Sequence, residues 1–181
     1  MATVSRRLMG CNIEIKARAR DFEFQQATVE KISSCTSEYI TQCDTFFSVV
    51  SGRLKLREFA DGTGELIYYQ RDNTNGPRKS HYSISKTSTP EALKEIVTQV
   101  LPVTGQVVKQ RWLYIVGPTR IHFDRVEHLG EFIELEVVLG QNQQTAIDGE
   151  KIAAEWMERI GISREDLFGE AYIDLLSRMS S

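Results

Sequence analysis

Charged residues recur two apart along several stretches of this chain, and that spacing decides what they could do together. Glu14 and Lys16 share one parity, as do Lys55 and Arg57 (with Arg53 before them), Lys109 and Arg111, and Glu134 and Glu136. Arg71 and the run Arg120-Ile-His122-Phe-Asp124 add to the set. In extended backbone, residues i and i+2 point to the same side, so each pair presents two charges from one face of a strand. The opposite parity is mostly apolar: Ile13 and Ile15; Leu54 and Leu56; Val108 and Trp112 on either side of Gln110; Ile133, Leu135 and Val137. Two arrangements fit. In one, the apolar faces make a core and the charged faces meet water. In the other, the charged faces turn inward around a polar cavity and helices cover the apolar faces. The second arrangement buries cations beside carboxylates, which is tolerable only where the charges pair or bind metals and anions. Arginine forks match phosphate oxygens two at a time and lysine adds a point charge. Paired glutamates suit a hard divalent cation. A polyphosphate on the cations, with a divalent cation such as Mg²⁺ on the carboxylates, would answer both needs.

These residues fall on elements that the sequence delimits. Residues 11–18 alternate with the period of a half-buried strand. A short helix follows over 21–33. Residues 37–50 are rich in Tyr, Ile, Thr, Phe and Val, which fit a pleated surface. A strand over 52–59 turns at Asp61-Gly62 into another over 64–72. Residues 73–77 make a loop before a strand over 79–86. Thr89-Pro90-Glu91 reads as a helix start, with proline at the first helical position, and that helix runs to about Val100. Three further strands cover 106–116, 119–127 and 131–139. An amphipathic helix spans 143–160, and Ser163 to Asp166 resembles a capping box opening a short helix that includes 171–176. About eight strands, mainly in meander order, predict an α+β fold: an eight-stranded antiparallel β-barrel with helices packed outside. One domain is expected over 1–181, with its strand core at about 11–140 and a helical tail at about 143–178.

Composition narrows the partners. The chain has 181 residues, 41% of them hydrophobic, enough for a proper core. With 22 Lys+Arg against 25 Asp+Glu its formal charge is -3, which argues against general nucleic-acid binding. No apolar run reaches the roughly 18 residues of a membrane helix, and the first ten residues lack the apolar core of a secretory signal. Cys11, Cys35 and Cys43 are odd in number and without CxxC spacing, so a reducing cytoplasm is expected. Glycine-rich phosphate loops of the dinucleotide and P-loop kinds are absent. His122 beside Asp124 could serve as a general base, although a structural histidine is the plainer reading.

Residues 12 to 18, Asn-Ile-Glu-Ile-Lys-Ala-Arg, resemble the ExExK signature of the CYTH superfamily, the triphosphate tunnel metalloenzymes. Gln42-Cys-Asp-Thr-Phe-Phe, Gly52-Arg-Leu-Lys-Leu-Arg, Tyr68-Tyr-Gln-Arg, Gly76-Pro-Arg-Lys-Ser, Arg120-Ile-His-Phe-Asp-Arg-Val and Leu129-Gly-Glu-Phe-Ile-Glu-Leu-Glu follow in that family's order. The resemblance is nearest to members described as class IV adenylyl cyclase-like or thiamine triphosphatase-like. It implies an eight-stranded tunnel that binds a triphosphate with Mg²⁺ or Mn²⁺. Members hydrolyse inorganic triphosphate, thiamine triphosphate or RNA 5′-triphosphates, or cyclise ATP. Carried over by position, Glu14, Glu134, Glu136 and Asp124 would hold metal. Lys16, Lys55, Arg57, Arg71, Lys79, Lys109, Arg111 and Arg125 would bind phosphate, although Arg125 has the opposite parity to Asp124. Glu14, Lys16, Asp124 and Glu136 would be the catalytic set. The expected activity is metal-dependent hydrolysis of a small-molecule triphosphate, with a class IV-type adenylyl cyclase or a non-catalytic polyphosphate binder as alternatives. One departure is Asn12 at the first Glu of ExExK: an amide can ligate a hard cation but brings no charge, so metal affinity should fall.

Overall fold

The computed structural model describes residues 10–140 and 145–179. The elements are β1 (Gly10–Arg18), α1 (Phe22–Ser33), β2 (Glu38–Phe47), β3 (Arg53–Phe59), β4 (Gly64–Arg71), β5 (Arg78–Thr87), α2 (Pro90–Val100), β6 (Val103–Val116), β7 (Thr119–Val126), β8 (Gly130–Val138), α3 (Ala146–Ile160), a 3₁₀ turn (Arg164–Asp166) and α4 (Tyr172–Met179). The strands close a barrel in the order β1-β5-β4-β3-β2-β6-β7-β8, every neighbouring pair antiparallel. Two meanders, β2 to β5 and β6 to β8, are joined along β2–β6, and β1 seals the seam between β5 and β8.

Local chemistry sets the element ends. Asp21 caps α1 by accepting from the Phe24 N–H at 3.1 Å. Pro90 opens α2 at a position where its missing N–H costs nothing. Thr145 and Asp148 form a reciprocal capping box on α3, and Gly161 ends that helix at φ 74°. The expected start of this helix at residue 143 lies outside the described residues.

Of the two arrangements compatible with the charge parity, the inward-charged one is adopted. The apolar parity of the strands faces out of the barrel and is covered by helices. Ile13, Ile15, Ile121, Phe123, Ile133, Leu135 and Val137 are buried together with Phe22 and Val29 of α1 and Ala153, Trp156 and Ile160 of α3. Leu56 packs outward beneath Val97 of α2. At one end of the barrel the inward residues become apolar, and Phe46, Val107, Val126 and Phe132 pack against Ala171, Tyr172 and Ile173. The tail helix therefore closes that end. No described helix is long and apolar enough to cross a membrane.

The wall-to-helix layer is where burial stabilises the fold. Leu135→Ala should cost about 2–5 kcal/mol in urea unfolding, as a cavity in a close-packed core does. A cost below about 0.5 kcal/mol, the level of an exposed site, would contradict the outward core.

Candidate functional site

The tunnel interior is built from one parity of each strand. Asn12, Glu14 and Lys16 point inward from β1, Asp44 from β2, Lys55 and Arg57 from β3, Arg71 from β4, Lys109 and Arg111 from β6, His122 from β7, and Glu134 and Glu136 from β8, around a cavity of about 870 Å³. Several of these charges sit directly opposite their partners in the cross-strand register, and others reach a partner diagonally. Glu14 faces Arg78 across β1–β5, and its Oε1 accepts from Arg78 at 2.9 Å and lies 3.0 Å from Arg71. Asp44 faces Arg57 across β2–β3, accepts from Arg57 Nε at 2.8 Å, and takes Lys55 Nζ at 2.7 Å on its other oxygen. Asp124 faces Arg111 across β6–β7 and takes its guanidinium at 2.6 and 2.7 Å. Lys109 at 2.9 Å and the Tyr172 hydroxyl at 3.2 Å also donate to Asp124. Arg111 and Lys16 then both reach Glu134 at 2.7 Å.

These pairs shift the titrations in a consistent way. Burial opposes ionisation of Asp44, but Arg57 and Lys55 outweigh it and hold the carboxyl well below its usual range. The same contest, won by Lys16, Lys109 and Arg111, holds Glu134 well below its usual value. Burial lowers the Lys16 ammonium despite Glu134. The interior thus carries ionised carboxylates whose partners are the very cations a phosphate would recruit. The Tyr172 ring lies 3.8 Å from Lys16 Nζ and 5.1 Å from Lys109 Nζ, so the tail helix supplies these two ammonium groups with a neutral, polarisable floor.

One group differs. His122, Glu134 and Glu136 bring three ligand atoms within 4.8 Å of one another. His122 Nδ1 stands 3.6 Å from Glu134 and 3.9 Å from Glu136, and it is buried without a hydrogen-bond partner among the described residues. Burial and then Arg111 lower the His122 pKa, keeping the imidazole neutral near pH 7 and a nitrogen lone pair available. A lone-pair nitrogen beside two carboxylates is a donor set that fits a divalent cation. Asn12 Oδ1 is likewise buried, inward and unpartnered.

Most residues picked out from the sequence converge here: Glu14, Lys16, Lys55, Arg57, Arg71, Lys109, Arg111, Asp124, Glu134 and Glu136. Two do not. Lys79 is exposed and outward, because β5 pairs Arg78 with Glu14 and so gives Lys79 the parity of Ile13. Arg125 also points outward, paired with Glu131 at 2.8 Å and lying over the rings of Phe22 and Trp112. Asp124 is placed inward but spends both oxygens on Lys109, Arg111 and Tyr172. Sequence reasoning missed Arg78, Asp44 and Tyr172 as members of the site. Parity within Gln42-Cys-Asp44 could have found Asp44, and the adjacent pair Arg78-Lys79 needed the register. Tyr172 follows the strands in the tail and carries no periodic signal.

The sequence matches a family model described as CYTH domain over residues 11–172. The search of curated proteins returns no match. Among solved structures, the PH1012 protein from Pyrococcus horikoshii OT3 superposes with a TM-score of 0.79 at 24% identity, covering 91% of this chain and 98% of that one. A candidate adenylate cyclase from Vibrio parahaemolyticus gives 0.75 at 17% identity, over 94% of this chain and 99% of its own. HpAC1 from Hippeastrum, a candidate adenylyl cyclase with a dominant triphosphatase activity, gives 0.66 at 13% identity, over 96% and 97%. At these identities the likeness shows a shared fold.

Two consequences of the geometry can be measured. Asp44→Ala strands two buried cations and should cost about 3–5 kcal/mol in denaturant unfolding; a cost below about 1 kcal/mol would mean the pairs are solvated. Burial and neighbouring Arg57 pull Lys55 down to about 7 despite Asp44. Lys55 therefore loses its charge as pH rises through that value, and calorimetric affinity for inorganic triphosphate should fall between about pH 6 and about pH 8.5. Lys55→Arg, a cation throughout, should remove Lys55's share of that fall; an identical pH profile in the variant would rule Lys55 out as its source.

Proposed function

The chain belongs to the CYTH domain family, and from that premise we propose that it is a metal-dependent phosphohydrolase cleaving a triphosphate-containing substrate held in the barrel. The observation that carries this reading is the unpartnered His122 Nδ1 facing Glu134 and Glu136 beside a cradle of buried cations. Glu134, Glu136 and His122 would hold Mg²⁺ or Mn²⁺. Glu14, opposite Glu136 across β1–β8, is placed to assist. When bound, the cation neutralises developing phosphoryl charge and makes water a better nucleophile.

Phosphoryl transfer asks a protein for alignment and charge complementarity more than for covalent help. Lys16, Lys55, Arg57, Arg71, Lys109 and Arg111 supply the complementarity, held in place beforehand by their carboxylate partners. An entering triphosphate exchanges those partners for its own oxygens, so little reorganisation remains at the moment of reaction. Asp124 serves best as the residue that positions Lys109 and Arg111, because it accepts from both and lies outside the group formed by His122, Glu134 and Glu136. Glu136, 3.7 Å from Arg120 and partly solvated, would orient a water in addition to helping to hold the cation. The free thiols Cys11, Cys35 and Cys43 accord with a cytoplasmic setting.

Incubation with inorganic triphosphate, ATP or thiamine triphosphate, each with Mg²⁺ or Mn²⁺, should release orthophosphate from at least one, as resolved by ion-exchange chromatography. Glu136→Gln should cut that rate by about 10²–10³-fold while leaving the circular dichroism unchanged. Cyclic AMP with pyrophosphate would make the protein a cyclase instead. A fully active Glu136→Gln would remove the assigned site.

A further inference from the structure

Two tyrosines meet the tunnel near its closed end, and their hydroxyls differ. Tyr172 donates to Asp124 at 3.2 Å and is thereby committed to the protein. Tyr69 on β4 has the inward parity of Arg71, lines the same cavity, and packs its ring against the apolar cluster that closes the barrel end. Lys55 Nζ lies 5.8 Å from the centroid of that ring and the Arg71 guanidinium 5.9 Å from it. The Tyr69 hydroxyl makes no hydrogen bond among the described residues.

The charges around that hydroxyl are already engaged. Arg71 lies 3.0 Å from Glu14, Lys55 lies 2.7 Å from Asp44, and Arg53 is held by Asp174. Burial raises the Tyr69 pKa against the pull of Arg71 and Arg53, and Glu14 and Asp44 add to the rise, taking it to about 12. The phenol is therefore a neutral O–H donor near pH 7, set among cations that cannot accept from it. The nearby carboxylates have turned to arginine and lysine donors instead. What the spot lacks is an acceptor, and an anionic oxygen held between Lys55 and Arg71 would supply one. In the closed strand order β4 stands four strands from β7, across the lumen from His122. The unpartnered nitrogen there offers a lone pair to a cation, whereas Tyr69 offers a proton to an anion.

We propose that Tyr69 is a further phosphate-binding residue, whose hydroxyl donates to the phosphate group gripped by Lys55 and Arg71. This rests on the proposed function for the presence of a triphosphate in the barrel. Lys55 and Arg71 must exchange carboxylate oxygens for phosphate oxygens when the ligand enters. The Tyr69 hydroxyl has no protein partner to give up, so its hydrogen bond is a gain over solvent alone. The closed-end cluster braces the ring, which keeps the donor in place before the ligand arrives. Deleting the hydroxyl therefore weakens the ligand without loosening the protein.

Titration calorimetry with inorganic triphosphate in EDTA reads binding apart from turnover, and urea unfolding of the same ligand-free proteins reads stability. Tyr69→Phe keeps the ring beside both cations and removes only the hydroxyl. It should bind inorganic triphosphate about tenfold or more weaker, as expected for one lost hydrogen bond to a charged acceptor, with its unfolding midpoint unchanged. Tyr68→Phe, on the adjacent outward position, should match the parent in both measurements. Unaltered affinity in Tyr69→Phe, or a loss matched by a lower unfolding midpoint, would overturn the assignment, and so would equal weakening by Tyr68→Phe. Failure of the parent protein to bind inorganic triphosphate would overturn the triphosphate reading as well.

Discussion

Asp124 has no contact with solvent, and the interior of this barrel is organised by what its charge requires. Removing a carboxylate from water costs several kcal/mol unless cations and hydrogen bonds replace the lost hydration. Arg111, Lys109 and Tyr172 do so for Asp124, and Arg111 passes the same logic to Glu134 and from there to Lys16. Asp44 and Glu14 organise the remaining cations in the same way. In the proposed reading, the carboxylate oxygens hold in the resting tunnel the positions that phosphate oxygens would take. Such pairing keeps the buried cations ordered, and a triphosphate would find them already aimed.

A polar interior inverts the usual placement of the core. Because the lumen carries the charges, the outward faces must be apolar, and an apolar outer wall must be covered. The covering helices α1 and α3 lie over β1, β7 and β8, the strands that contribute Glu14, Lys16, His122, Asp124, Glu134 and Glu136. The best-packed part of the wall therefore supports the densest part of the site. The tail helix acts differently, entering the barrel end and placing Tyr172 under two lysines.

Much of this was legible from parity. Once Lys55 and Arg57, Lys109 and Arg111, or Glu134 and Glu136 lie on strands, they share a face, and the hairpin turns locate those strands. Whether that face is inside or outside depends on where the helices dock, which is a tertiary fact that amphipathic α3 hints at and does not fix. The choice between Arg78 and Lys79 turned on a register one residue wide, set by the pairing of β5 with a strand some sixty residues earlier. Arg125 was misplaced for a related reason: its charge suggested the tunnel, whereas its parity put it with Phe22 and Trp112 on the outer wall. The orphan Nδ1 of His122 follows only from side-chain geometry.

The central claim is that the carboxylate–histidine cluster and the paired cations form one site for a metal and a triphosphate. The most direct test is a crystal structure of the protein soaked with Mn²⁺ and inorganic triphosphate, with anomalous diffraction at the manganese edge. The account predicts an anomalous peak bounded by His122, Glu134 and Glu136, with phosphates among Lys16, Lys109 and Arg111. A manganese peak away from that cluster, or triphosphate bound outside the barrel, would contradict it.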